Sequence, residues 1–270
     1  MTIQIAHEAP ISIIRRVQAV TDYDYCLVHL LEEQPEYLNF FKEAKEKGRK
    51  VLLDNSIFEL GEAFDSDRFA YWINELQPDE YIIPDSLENT DKTLFNALFW
   101  HNKYNTLPGK KIGVIQGKTY NDLKNCYIAL DKEFNVDKIA ISFDYSFYHT
   151  LVPHPNKLIS WMLGRVALVS MLKNDGIINE SKPHHLLGAS LPWEFTYYRE
   201  GFEFIESLDT SSPVVSGIEG IMYSDMGIWE KPKTKLFTII DKEVTNFDNV
   251  LYNIQKFRHL STHKHTNLKF

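Results

Sequence analysis

The chain has 270 residues, 44% hydrophobic and 24% charged, enough apolar material for a sizeable core in one large α/β domain or two smaller ones. Its net charge of −8 argues against a general nucleic-acid coat, which needs clustered Lys and Arg against phosphates. No run approaches the roughly eighteen apolar residues of a membrane helix, and the opening "MTIQIAHEAP" lacks the charged start and apolar stretch of a signal peptide, so a cytoplasmic protein is expected.

In chain order, short β-rich runs alternate with longer amphipathic ones. "TIQIA" precedes "ISIIRRVQAV", "YCLVHLL" precedes "EYLNFFKEAKEKG", "KVLLDN" precedes "DSDRFAYWINELQ", and "EYIIPD" precedes "TDKTLFNALFWHNKY". Then "KIGVIQG" precedes "YNDLKNCYIALDKEF", "KIAISFD" precedes "NKLISWMLGRVALVSMLKN", "HHLLGAS" precedes "PWEFTYYREGF", and "FIESLD" closes the series. Apolar runs such as "VLL", "YII" and "IAI" suit strands buried on both faces, as parallel strands are, and the segments between them have the length of crossover helices. Eight such repeats predict a single-domain α/β protein, a (β/α)8 TIM barrel, over residues 1–213; a doubly wound open sheet is the alternative. Residues 214–270 hold their own apolar patches ("GIEGIMYSDMGIW", "KLFTII", "NVLYNIQKF") and are expected to pack on the barrel as an extension with one terminal helix.

Charge is uneven along the chain. Residues 231–270 carry eight basic against three acidic side chains, a net of +5, which leaves −13 on the rest. A basic segment of this kind either meets a polyanion or is simply solvated; neutralising Lys231, Lys233 and Lys235 separates the two.

Cys26 and Cys126 sit in apolar stretches without a CxxC neighbour and read as buried free thiols. Neither a GxGxxG nor a GxxxxGK[ST] loop is present, nor HExxH, so no cofactor and no metal are expected. His184 and His185 open a strand and suit a core or rim role, while His259, His263 and His265 suit a solvated tail.

Polar residues recur at the C-terminal ends of the predicted strands: Asp54, Asp85, Gln116, Asp144 and Asp209. In parallel α/β folds, loops converge and ligands bind at that end. Gathered carboxylates repel one another, and the shifted pKa values that result are useful in active sites. Asp144 reads equally well as a helix N-cap. Paired carboxylates without a metal are the signature of glycosidic chemistry, in which one attacks C1′ of a sugar and another moves a proton on the leaving group. A carboxamide and a further carboxylate then suit the reading of a base edge.

These segments carry a resemblance. "LLDNSIFELGE", "PDSLE", "IGVIQGKTYNDL", "KIAISFD", "HHLLGASLPWEF" and "GFEFIESLDTSSPV" occur in the same order as similar segments of the tRNA-guanine transglycosylases, over residues 50 to about 215. "LDN" followed by "FELGE" is most similar to the phage-type branch, the 7-deazaguanine DNA-guanine transglycosylases. The resemblance implies Asp209 as the nucleophile that displaces guanine and Asp54 as the general acid/base. It implies Asp85 and Gln116 as readers of the purine edge, with Ser142, Gly188 and Ala189 lining the base pocket beside Asn55 and Ser56. Asp209 must then be ionised to attack while Asp54 carries a proton, so their environments should push their pKa values apart. Tyr145, Phe147, Tyr148 and Trp193 lie near strand ends and suit base stacking or, more often, core and lid packing. The implied partners are DNA, or alternatively tRNA, and a free 7-deazaguanine base of the cyano-substituted (preQ0) type, with a homodimer or a partner protein possible and the host cytoplasm as location if the chain is phage-encoded.

The chain departs from the tRNA enzymes at two places. No cysteine follows Cys126, so a CxCxxC zinc subdomain is not expected, and their "PTR" after the nucleophile reads Ser212-Pro213-Val214 here. Three functions follow as alternatives: exchange of guanine for a 7-deazaguanine in DNA, the same exchange in tRNA, or a catalytically silent nucleic-acid-binding partner of the same fold.

Overall fold

The computed structural model describes residues 3–198 and 200–262. Eight strands, β1 (Gln4–Ala6), β2 (Asp24–Leu27), β3 (Val51–Asp54), β4 (Glu80–Ile82), β5 (Lys110–Val114), β6 (Lys138–Ser142), β7 (His184–Leu187) and β8 (Ile205–Asp209), pair in parallel in the order β1-β8-β7-β6-β5-β4-β3-β2. The gap between β1 and β2 is bridged by the residues that lead into β2. Ile5 N–H donates to Asp22 Oδ2 (2.8 Å), Asp22 N–H to the Ile5 carbonyl (2.9 Å), and His7 N–H to Thr21 Oγ1 (3.0 Å). The eight strands therefore form a nearly closed (β/α)8 barrel, and the open-sheet alternative is set aside.

Helices Ile11–Gln18, Ser66–Leu76, Thr90–Tyr104, Tyr120–Ile128 and Lys157–Asn174 fall within the predicted amphipathic segments, and Pro35–Glu46 begins one residue before its own. Their starts are written locally: Asp65, Asn89 and Asn156 accept backbone N–H groups of the first turn, and Thr119 and Asp122 form a capping box. The central strands are buried along their length, as in Val51–Leu53 and Ile139–Ile141, which is what continuous apolar runs require.

Three segments differ from expectation. "YCLVHLL" is strand only to Leu27; Val28–Glu33 turn as a buried helix, since a short apolar run serves either element equally. "PWEFTYYREGF" yields only the 3-10 turn Pro192–Thr196 in place of a crossover helix. That turn is held by a fully buried ion pair, Arg165 Nε to Glu194 Oε1 (2.7 Å) and Nη2 to Oε2 (2.8 Å), while Arg165 Nη1 also caps the Leu187 carbonyl at the end of β7 (2.9 Å). Finally, residue 213 falls inside helix Ser212–Ile218, and the terminal helix Phe247–Thr262 packs on it so closely that a Cβ at Gly217 would lie 2.6 Å from Val250 Cα. The terminal helix also covers Ile13 and Val17 of the first helix, so the C-terminal segment supplies barrel wall.

At the N-terminal ends of the strands a buried ion network forms the floor. Lys138 Nζ contacts Glu80 (2.7 Å) and Glu206 (2.9 Å), and Lys50 Nζ contacts Glu80 (3.2 Å).

Candidate active site at the barrel mouth

Parallel pairing in register sets the C-terminal strand ends side by side: Leu27 is opposite Asp54, and Ala6 is opposite Asp209. A cavity of about 330 Å³ opens at that end. Asp54, Asp85, Gln116, Ser142, Asp144, Gly188, Ala189 and Asp209 all line it, so one cavity gathers most of the residues singled out in the sequence. Asn55 and Ser56 are fully buried and absent from that lining; they act through their neighbours.

Asp85 is the most tightly held of the carboxylates. Asn55 Nδ2 donates to Oδ1 (2.8 Å) and Gln116 Nε2 to Oδ2 (2.7 Å), while Gln116 Oε1 accepts from the Glu88 N–H (2.8 Å). This fixes the orientation of the Gln116 amide. Asn55 is anchored in turn on the Ile83 carbonyl (3.0 Å) and accepts the Ile57 N–H (3.0 Å). Burial raises the Asp85 carboxyl above its ordinary value, against the pull of those two amide donors.

Asp54 accepts from the Tyr25 hydroxyl (2.6 Å) and from the Ser56 N–H (3.1 Å). The second bond depends on Ser56 standing in the left-handed region at φ 60°, a conformation a serine holds only when its surroundings impose it. Burial pushes Asp54 from 3.8 up to about 7, with Asp209 and Asp85 adding to the rise. A carboxyl at that value both gives and takes a proton near neutrality.

Asp209 is held by two donors on one oxygen. His185 Nε2 reaches Oδ1 at 3.0 Å and the Gly188 N–H reaches it at 3.1 Å; among the described residues, no donor reaches Oδ2. A carboxylate only accepts, so the contact is donated by His185 Nε2, and Nδ1 of the same ring lies 3.0 Å from the Ser207 hydroxyl. Gly188 has φ 64°, which aims its N–H at Asp209, a backbone that favours glycine.

Several contributors escaped the sequence reading. Tyr25 and His185 are both buried and stack with centroids 6.3 Å apart, joining the Asp54 partner to the Asp209 partner. A Tyr or His inside a strand carries no signal that separates this role from core packing. Glu8 and Glu59 also line the cavity. Burial raises Glu59 from 4.5 to about 8, with Asp54 reinforcing the shift, and raises Glu8 well above the usual range, with Asp209 reinforcing it. The signal for Glu8 was available, since it follows β1 just as Asp54 ends β3.

The aromatic residues near the strand ends follow the core-packing reading. Tyr145, Tyr148 and Trp193 are core residues, Phe147 is partly buried against the core, and none of the four lines the cavity. Phe58, Phe143 and Phe237 do, with Phe58 54% exposed at the rim. His184 is core as expected, bonded to the Tyr127 hydroxyl (2.9 Å) and lowered to about 4 by burial. Cys26 and Cys126 are buried free thiols. Among the described residues, no cluster of His, Cys, Asp and Glu has the geometry to hold a metal ion, and no helix is long and apolar enough to cross a membrane. His263 and His265 lie outside the described residues.

No family model matches the chain, and no curated protein matches it.

Proposed function

We propose that the barrel is a base-exchange glycosyltransferase that replaces guanine in DNA with a 7-deazaguanine base through a covalent glycosyl-aspartate. The observation that carries the reading is the division of labour between two carboxyls in one cavity. Asp209 is fixed by His185 and Gly188 with Oδ2 left for attack, and Asp54 is pushed to about 7, where it shuttles a proton.

In the first step, Asp209 Oδ2 attacks C1′ as the C1′–N9 bond breaks, and the Asp54 carboxyl gives its proton to the departing guanine. In the second, the incoming base passes its N9 proton to the Asp54 carboxylate while N9 attacks C1′, and the ester to Asp209 breaks. Two displacements retain the configuration at C1′. Asp85, held between Asn55 and Gln116, keeps lone pairs available for the 2-amino and N1 donors of a purine, and Phe58 or Phe143 offers a ring for the base face. Such a cavity admits only an unstacked nucleotide, so the target is single-stranded or flipped out of a duplex.

The test is incubation with guanine-containing DNA, and separately with tRNA, in the presence of a 7-deazaguanine base, followed by nucleoside digestion and mass spectrometry. A deazaguanine nucleoside in DNA is expected. Product only in tRNA moves the reading to the tRNA branch, and no product in either leaves the silent-partner reading.

A further inference from the structure

We infer that the segment Lys231–Lys235 is a phosphate-binding strap for the nucleotide whose base enters the cavity, gripping the backbone phosphodiesters at the mouth itself. The inference rests on the base-exchange reading for its substrate, and on separate observations for its site.

Lys231, Lys233 and Lys235 line the same cavity as the carboxylates, at alternate positions of one irregular segment. The segment is pinned along its length. Asn156 Nδ2 donates to the Trp229 carbonyl (2.8 Å), Glu219 accepts the N–H groups of Lys233 (3.3 Å) and Thr234 (2.6 Å), and the Ile240 carbonyl accepts from Ile11 N–H (2.8 Å). Leu236 and Ile239 are buried against Val215. A backbone so fixed presents its lysines in a set place, unlike a solvated tail. The Lys231 Nζ stands 5.7 Å from the centroids of both Phe58 and Trp161, so two rings position its ammonium group beside the cavity. Among the described residues, none of the three ammonium groups forms an ion pair, although acidic side chains line the same cavity.

The chemistry of the lining explains why such a strap is needed. Glu8, Asp54, Glu59, Asp85, Asp144 and Asp209 line the cavity and give an approaching polyanion no countercharge. Sugar and base suit the acidic part; the phosphates on either side of them do not. Three lysines at the rim neutralise those phosphates and set the register that brings C1′ to Asp209.

The experiment measures binding of a guanine-free oligothymidylate by fluorescence anisotropy across a salt series, for the wild type and for the Lys231→Gln/Lys233→Gln/Lys235→Gln variant. A second variant, Lys42→Gln/Lys47→Gln/Lys110→Gln, removes the same charge away from the mouth, and thermal melts check that both fold. Loss of three phosphate contacts makes the log–log salt slope shallower by about 2, at about 0.7 per contact on a single strand. In exchange assays the strap variant raises KM for the oligonucleotide and leaves kcat near wild type. An unchanged slope, or an equal change in the second variant, overturns the strap. Because the probe has no guanine, a strap-dependent slope without any base exchange would keep the phosphate site and reject the base-exchange reading. Exchange with an unaltered slope would do the reverse.

Discussion

At the floor of the barrel, Glu80 and Glu206 meet Lys138, which is fully buried, and Lys50; burial alone would raise Glu206, but the lysines outweigh it and hold the carboxyl below its ordinary range. At the mouth, Asp54 and Glu59 are buried without a salt-bridging lysine among the described residues, and burial drives them to about 7 and about 8. The same residue type thus serves opposite ends. A carboxylate with a buried cation is fixed in one charge state and serves stability, whereas one without it stays titratable near neutrality and serves chemistry. This division matches the general rule that parallel α/β barrels keep function at the C-terminal face.

Substitutions sharpen that contrast. The largest expected effect is on chemistry: Asp209→Asn abolishes exchange, by at least about 10³-fold, because the amide cannot form the glycosyl ester; single-turnover mass spectrometry of digested DNA measures it, and its melting temperature stays near wild type. At the floor the sign reverses. Lys138→Met leaves Glu80 and Glu206 with only the partly exposed Lys50 and costs about 3 kcal/mol, roughly 6 to 12 °C in Tm, while kcat measured below the transition is retained. Calorimetry and kinetics on the same sample decide this, and a floor variant that loses kcat without losing stability would break the contrast.

A smaller effect joins the two ends. His185→Leu removes the donor to Asp209 Oδ1 and lowers kcat by about 100-fold through misplacement of the nucleophile, with His185→Gln, which still donates, recovering part of it. A merely structural role for His185 would give no such rescue.

The pH dependence is the most delicate test. Asp54 and Glu59 are held above their ordinary 3.8 and 4.5, so these two carboxyls bind more protons in the folded than in the unfolded chain between about pH 4 and pH 8. Their contribution to stability therefore falls as pH rises through that window and levels off above it. Asp54→Asn flattens the fall and stabilises the protein at pH 8 by on the order of 1 to 3 kcal/mol, while removing activity. Denaturant titrations at pH 5 and pH 8 measure this. In the wild type, kcat/KM falls as pH passes about 7, since guanine departure needs the protonated Asp54.

Much of this was legible in the sequence because it is periodic. All eight strands lie within the predicted runs or overlap them closely, since a parallel strand buried on both faces must read as an apolar run, and a strand-end Asp breaks that run visibly. What stayed hidden depends on tertiary contact. The helix at Val28–Glu33 reads as strand because its first four residues, Val28 to Leu31, are buried and continue the run of β2 without a break. The 3-10 turn after β7 is tied down by Arg165 and Glu194, twenty-nine positions apart, which no local pattern joins. Asn55 looks like a substrate contact from its neighbour Asp54, yet its amide turns inward to Asp85 thirty positions on. Tyr25 and His185 became site residues only when β2 and β7 were brought round one barrel.

The most direct measurement is intact-protein mass spectrometry of the chain denatured during incubation with a short guanine-containing single strand and no incoming base. The account predicts a protein–oligonucleotide adduct lacking guanine, mapped by digestion to the peptide bearing Asp209 and lost in Asp209→Asn. An adduct on another residue, or base exchange that proceeds with no adduct at all, would contradict it.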